Sequence, residues 1–193
     1  MYNNACDTAM LLGSSRQSGF SRRLGRALPE LAPSGVRLRE VSIADLPLYH
    51  EDLETDSPPR AWVRFRDEIR AAGALLFVTP EYNRSVPAML KNAIDVGSSP
   101  DGSSVWARKP AAIASFSPGR LGGFGANHHL RQSLVFLDVP VLQQPEVYLA
   151  GIGDAFDSGG ALRAGPVREL LCELLRAFHA WAVRCREVPS WSS

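Results

Sequence analysis

Short apolar runs alternate with stretches whose apolar residues recur every three or four positions, and this alternation continues along nearly the whole chain. Thr8-Ala-Met-Leu-Leu-Gly13 is an apolar run ending in small polar residues, as a buried strand feeding a loop would be. Ser21–Leu31 reads as a helix, with Leu24, Leu28 and Leu31 on one face and Pro33 and Gly35 closing it. Val36–Ile43 alternates apolar and polar, a strand with one wetter face. Pro59–Ala72 repeats Trp62, Phe65 and Ile69 at helical spacing, with proline at its start. Ala74–Thr79 is almost wholly apolar, the pattern of a central strand covered on both faces. A helix over Ser85–Gly97 with Pro87 in its first turn follows, then a buried strand over Pro110–Ser117. Asn127–Leu137 places Leu130, Leu134 and Leu137 on one helical face. Val139–Leu149 is a fifth strand interrupted by Pro145, and Pro166–Arg186 is a long terminal helix carrying Leu170, Leu171, Leu174, Leu175, Phe178 and Trp181. Five strands alternating with five helices predict an α/β doubly wound parallel sheet with helices on both faces. In such sheets ligands sit beyond the carboxyl ends of the strands where the winding reverses, so the loops after strands one, three and four come first.

The 193 residues predict a single domain over 1–193, long enough to bury roughly 70% of its unfolded surface without disulfides or a structural metal. The turn-rich stretches Asp52–Pro59 and Gly97–Ser104 are too short for domain linkers. Nineteen arginines and two lysines face 20 acidic residues, a net charge of +1 that lacks the footprint of a nucleic-acid binder, although a local basic patch stays open. Cys6, Cys172 and Cys185 form no Cys-x-x-Cys pair, and an odd number fits a reducing compartment. Cys172 and Cys185 read as buried or idle thiols. The chain start has no basic segment, its apolar stretch Ala9–Leu12 is four residues, and no run nears a membrane span. A cytoplasmic protein with no membrane partner is expected.

Gly13-Ser14-Ser15-Arg16-Gln17-Ser18-Gly19-Phe20-Ser21 leads from the first strand directly into a helix. Backbone N–H groups and hydroxyls there can converge on an anion, the helix N-terminus adds partial positive charge, and Arg16 can fork onto phosphate oxygens. A polar turn with a serine N-cap and a solvated Arg16 is an equal reading. The loop matches neither Gly-x-Gly-x-x-Gly nor the Walker pattern, so dinucleotide and nucleoside-triphosphate readings lose their main support. Thr79-Pro80-Glu81-Tyr82-Asn83-Arg84-Ser85-Val86-Pro87 is stiffened by two prolines and can offer backbone groups to a heterocycle edge beside the flat Tyr82. Taken alone, Tyr82 reads as packing and Glu81 as a surface charge. Ser117-Pro118-Gly119-Arg120-Leu121-Gly122-Gly123-Phe124-Gly125 carries four glycines in seven residues, letting backbone approach a planar ligand. A merely mobile loop is the alternative. His128 and His129 point about 100° apart on a helix and suit no shared metal ion, and Gly-x-Ser-x-Gly is absent. Arg22, Arg23 and Arg26 read as a solvated face, with attraction of a pyridine-nucleotide phosphate as the alternative.

These loops resemble the NAD(P)H-dependent FMN reductase family of flavodoxin-like proteins, which includes quinone, chromate and azo-compound reductases. The most specific match is Pro80-Glu81-Tyr82-Asn83-x-Ser85-x-Pro87 followed by Leu90-Lys91-Asn92-Ala93-Ile94-Asp95. Gly13-Ser14-x-Arg16, Ser117-Pro118-Gly119 with Gly122-Gly123, Gly125–Leu134 and Gln144-Pro145-Glu146 follow in order, so the likeness covers about residues 8 to 160. The resemblance implies that Ser14, Arg16, Ser18, Gly19, Phe20 and Ser21 hold the FMN phosphate. It places Pro80, Glu81, Tyr82 and Asn83 beside the isoalloxazine ring, and Ser117, Pro118, Gly119, Arg120, Gly122 and Gly123 along its other side. Many members have Ser and Asn where this chain has Gly19 and Ser21, with Ser18 available as a substitute, and Trp where it has Val96, an aromatic of a subunit contact or pocket wall.

The expected protein is a flavodoxin-like domain that passes reducing equivalents from NADH or NADPH through FMN to a small acceptor such as a quinone, free flavin, azo compound or metal oxyanion. The flavin carries the chemistry, so no catalytic side chain and no metal are assigned. A homodimer or homotetramer is implied. A flavodoxin-type electron carrier without its own substrate is the alternative, disfavoured because such carriers resemble one another in being strongly acidic. A flavin-free interaction protein on the same fold is a further rival.

Overall fold

The computed structural model describes residues 6–187. Five strands, β1 (Cys6–Leu12), β2 (Val36–Glu40), β3 (Ala74–Pro80), β4 (Ala111–Phe116) and β5 (Val147–Leu149), form one parallel sheet in the order β2-β1-β3-β4-β5. Five helices separate or follow them: α1 (Phe20–Leu31), α2 (Arg60–Ala71), α3 (Ala88–Ser98), α4 (Phe124–Phe136) and α5 (Pro166–Glu187). The chain steps outward from β1 to β2, then crosses back to β3 on the other side of β1, so the winding reverses between β1 and β3.

The two-residue period of the strands divides the core into two layers. Ala9, Leu11, Leu75, Phe77 and Ile113 face α2, α3 and α4, where Trp62, Phe65, Leu90, Ile94, Leu130 and Leu134 cover them. Met10, Leu12, Leu76, Val78 and Ala114 face α1 and α5, meeting Leu24, Leu28, Leu171, Leu175 and Phe178. All seven β3 residues are buried, as a central strand requires. The long connection from β2 to α2 is held down by the buried Asn92 of α3, whose Oδ1 accepts from Tyr49 N at 2.7 Å and whose Nδ2 donates to Leu46 O and Pro47 O. The ion pair of Arg66 with Glu54 closes the same strap.

Several boundaries differ from the sequence expectation, each for a local reason. The third helix begins at Ala88, with Pro87 as its N-cap, because Tyr82–Ser85 closes as a tight hairpin first. The fourth begins at Phe124, three residues early, since the left-handed Gly123 serves as its N-cap. Strand five shrinks to Val147–Leu149: Pro140 and Pro145 have no N–H for a ladder, and upstream only an isolated bridge, Ala111 with Val141, survives. Strand two ends at Glu40, after which Val41 N still donates to Met10 O at 3.0 Å. The arginines opening α1 are not all solvated. Arg22 is paired with Glu40 at 2.6 Å and Arg23 lies over the rings of Phe20 and Phe156, leaving Arg26 exposed. Val96 is fully buried in the core rather than on a surface or pocket wall. The three cysteines are free, Cys6 buried and the other two half-buried, and burial pushes the Cys185 thiol up. Among the described residues, no helix is long and apolar enough to cross a membrane.

Candidate functional site

The carboxyl ends of β1, β3 and β4 present the three loops side by side at the reversal of winding, the place where open α/β sheets bind ligands. The β1 loop is anchored at its root. Gly13 N donates to Val78 O at 2.8 Å, and a Cβ on Gly13 would stand 2.7 Å from the Thr79 hydroxyl, so only glycine lets the loop leave this close to β3. Beyond it, Arg16 N donates to Ser14 Oγ at 3.4 Å and Gly19 N to Arg16 O at 2.9 Å, forming a compact turn. Arg16 and Ser18 are exposed, and among the described residues Arg16 makes no ion pair.

The decisive local feature is what α1 lacks. Its N-cap is Gly19, no side chain caps it, and no acidic residue stands in its first turn. Ser21 is 1% exposed, yet its hydroxyl has no hydrogen-bond partner, and neither has the buried Nε of Arg22. Orphaned buried donors cost roughly 1–3 kcal/mol each. An uncapped helix N-terminus with an orphaned hydroxyl, a free guanidinium and serines is a donor set without its acceptor, and a phosphate monoester satisfies it. The residues present fit the phosphate of FMN, and the buried Ser21 hydroxyl is one of the donors without a partner.

The β3 loop is a tight hairpin. Tyr82 and Ser85 exchange N–H to carbonyl bonds of 2.9 Å in both directions, and Asn83 and Arg84 take positive φ of 50° and 66°. Left-handed non-glycine residues are uncommon and are kept where the surroundings hold them. Tyr82 stands 52% exposed with its hydroxyl 3.5 Å from Ser14 Oγ, so it is a free aromatic face bridging two loops rather than core packing. Pro80 is buried as the last residue of β3, and Asn83 is exposed at the hairpin tip. Glu81 is no surface charge. Its nearly buried carboxylate accepts from Gly125 N at 2.7 Å and Ala126 N at 3.3 Å, and pairs with Arg84 at 2.9 Å.

In the β4 loop, Ser117, Pro118, Gly119 and Arg120 form the accessible part, with Ser117 Oγ donating to Gly119 O at 3.1 Å. Gly122 and Gly123 are buried at φ of 58° and 82°, and added Cβ atoms there would strike the backbones of Tyr148 and Phe116. The protein's own close packing requires glycine at these two positions, and Gly119 is the exposed glycine of the loop. Ser115, fully buried, lies 3.0 Å from the Gly122 carbonyl and accepts from Asn127 Nδ2, a polar anchor beneath the loop. Sequence reading passed over both, although a serine in an apolar strand and an asparagine on an apolar helix face are the visible signals. Leu121 and Phe124, each about half exposed, add apolar surface at the rim.

Two cavities flank the loops. One of about 610 Å³ lies between Pro118–Arg120 and Ala150–Val167, and one of about 550 Å³ lies beside Tyr82, Asn83, Ser85, Lys91 and His129. Neither cavity reaches Ser14 or Ser21. His128 and His129 go to separate partners, Tyr148 and Ser85, and among the described residues no cluster of three metal-ligating side chains occurs.

Comparison with known proteins agrees with this geometry. A quinone reductase of Pseudomonas putida is 54% identical over 180 residues, covering 93% of this chain and 96% of that protein. An NAD(P)H-dependent FMN reductase of Pseudomonas aeruginosa is 44% identical over 174 residues, covering 90% and 94%. The solved structure of a flavoenzyme NAD(P)H:(acceptor) oxidoreductase from Paracoccus denitrificans superposes with a TM-score of 0.87 at 33% identity, covering 93% of this chain and 98% of that one. The sequence pattern of the NADPH-dependent FMN reductases matches residues 7–154. With relatives this close along nearly the full chain, a flavodoxin-like sheet and its three loops in place, the chain belongs to the NADPH-dependent FMN reductase family.

Proposed function

We propose that this protein binds FMN noncovalently and transfers reducing equivalents from NADH or NADPH to a small acceptor, with a quinone as the acceptor class. The observation that carries the reading is the uncapped start of α1 with the orphaned, buried Ser21 hydroxyl at the winding reversal. Ser14, Arg16, Ser18, Gly19, Phe20 and Ser21 would hold the phosphate, Arg16 by a charge-assisted fork and the helix by its unpaired N–H groups. Pro80–Asn83 would border the ring on one side, with Tyr82 as a flat wall, and Ser117–Gly123 on the other. FMN held by these residues would supply the hydride-transfer chemistry between the nicotinamide and the acceptor. The chain's own residues bind, orient and shield; no side chain is assigned as acid or base. The relatives named as quinone reductases support the acceptor class.

Comparative titration of the apoprotein tests the reading. FMN binds more tightly than riboflavin because the phosphate fills the α1 donor set; equal affinities contradict it. A homodimer or homotetramer is part of the proposal. Val135 and Phe136 at the end of α4 are 74% and 89% exposed, and Phe136 borders a hollow of mixed lining with Ile94, Leu137, Lys91 and Asp95, a surface a second copy would cover. Light scattering at micromolar concentration that finds only monomer contradicts that part. The free thiols fit a reducing cytoplasm.

A further inference from the structure

The geometry points to Glu81 as a positioning residue that sets the separation between the Tyr82 hairpin and the glycine loop, acting through the start of α4. This inference rests on the FMN reading, since the slot between these loops is the one proposed to take the flavin ring.

Glu81 is the first residue after β3, and its side chain is 10% exposed. It does not turn toward the open face of the loop. Its Oε2 reaches across to Gly125 N at 2.7 Å and Ala126 N at 3.3 Å, the first-turn donors of α4. A carboxylate at a helix N-terminus is favoured both by these hydrogen bonds and by the helix dipole. The bond is therefore the missing N-cap of α4, supplied from another loop, because Gly123 has no side chain to cap with. Since α4 starts immediately after the glycine loop, the contact ties that loop to the hairpin.

A second strut holds the same two elements four residues further along. Ser85 Oγ and His129 Nδ1 are 3.0 Å apart, so the hairpin is fixed to one face of α4 at positions 125 and 129. The fit admits no slack at the first strut: a Cβ on Gly125 would lie 2.8 Å from Arg84 O and 3.0 Å from Glu81 Oε2. This double fixing accounts for two consecutive left-handed residues, Asn83 and Arg84, neither of them glycine. Arg84, 71% exposed, pairs with the outer oxygen of Glu81 and is screened by solvent.

The test compares flavin binding by apoprotein variants, with riboflavin and FMN as probes. Glu81→Ala weakens both by the same factor, roughly tenfold, the size of one lost charge-assisted hydrogen bond, so the FMN-to-riboflavin ratio stays that of the wild type. Its visible circular dichroism, which reports the ring's surroundings, changes shape. Glu81→Gln keeps an oxygen within reach of Gly125 N and recovers part of both effects. Gly125→Ala, altered from the helix side, reproduces the Glu81→Ala spectrum, while Arg84→Ala leaves spectrum and affinity unchanged. If Glu81→Ala and Gly125→Ala bind both flavins as the wild type does with unaltered spectra, whatever their melting temperatures, the positioning role is overturned. If either changes only the FMN-to-riboflavin ratio, it is overturned as well, since that is a phosphate effect. Failure of the wild type to bind either flavin brings down the FMN reading itself, and this inference with it.

Discussion

At the scale of single residues, polar atoms without partners are more informative than polar residues at large. Arg16 is exposed in a polar loop and bears no packing load, so Arg16→Ala leaves the fold intact and weakens FMN binding by roughly 10–150-fold, the equivalent of about 1.5–3 kcal/mol for a charge-assisted hydrogen bond. Equilibrium titration with a thermal melt of the same variant checks both halves. Tyr148 behaves differently. Burial first, then its hydrogen bond and proximity to the Glu146 carboxylate, push the phenol up to about 12. The unfolded chain loses this proton near the ordinary value of 10 while the folded one keeps it, so this contribution to stability is complete below pH 10 and is lost as pH rises to about 12. Denaturant melts across that window show a falling slope that Tyr148→Phe reduces. The residue types alone left Arg16 evenly between a solvated and a phosphate-binding role and Tyr82 as packing, so it was the family motifs that singled them out, and Glu81 was illegible as a buried cap. Its partners Gly125 and Ala126 stand more than forty positions away, and no local pattern encodes a cap supplied from another loop.

At the scale of elements, periodicity located the five strands and five α-helices of the described residues, but neither of the short 3-10 turns at Glu51–Leu53 and Ile152–Ala155, and the ends were decided by backbone chemistry that periodicity does not carry. The fifth strand illustrates this. Its apolar pattern runs from Val139, yet two prolines remove ladder donors and only Val147–Leu149 pairs with β4. Likewise the apolar spacing of α4 starts at Leu130, but the helix itself starts at Phe124 because Gly122 and Gly123 take left-handed turns that bring the chain against β4 and β5. Tertiary packing requires glycine at both positions independently of any contact their backbone makes with a ligand. Gly122→Ala therefore acts on stability: it combines a strained φ of 58° with a clash against the Tyr148 backbone. We expect a loss of more than about 1 kcal/mol, seen as a lower melting temperature both with and without flavin. An unchanged melting temperature contradicts this account of the loop.

At the scale of the whole molecule, the doubly wound sheet gathers three loops, from positions 13, 81 and 117 onward, at one reversal of winding. The alternation of elements made that meeting place legible before any contact was known, because the handedness of parallel crossovers leaves few arrangements. Whether the gathered loops serve an enzyme or a carrier is decided by access. A reductase admits a nicotinamide to its flavin; a carrier takes electrons from another protein. The most direct measurement is anaerobic mixing of the FMN-loaded protein with NADPH or NADH alone, followed by a quinone, with the flavin absorbance recorded throughout. The account predicts bleaching by at least one nucleotide without any partner protein and recovery of the colour on adding quinone. A flavin that stays oxidised in excess of either nucleotide, yet is reduced rapidly by a separate flavoprotein, contradicts it.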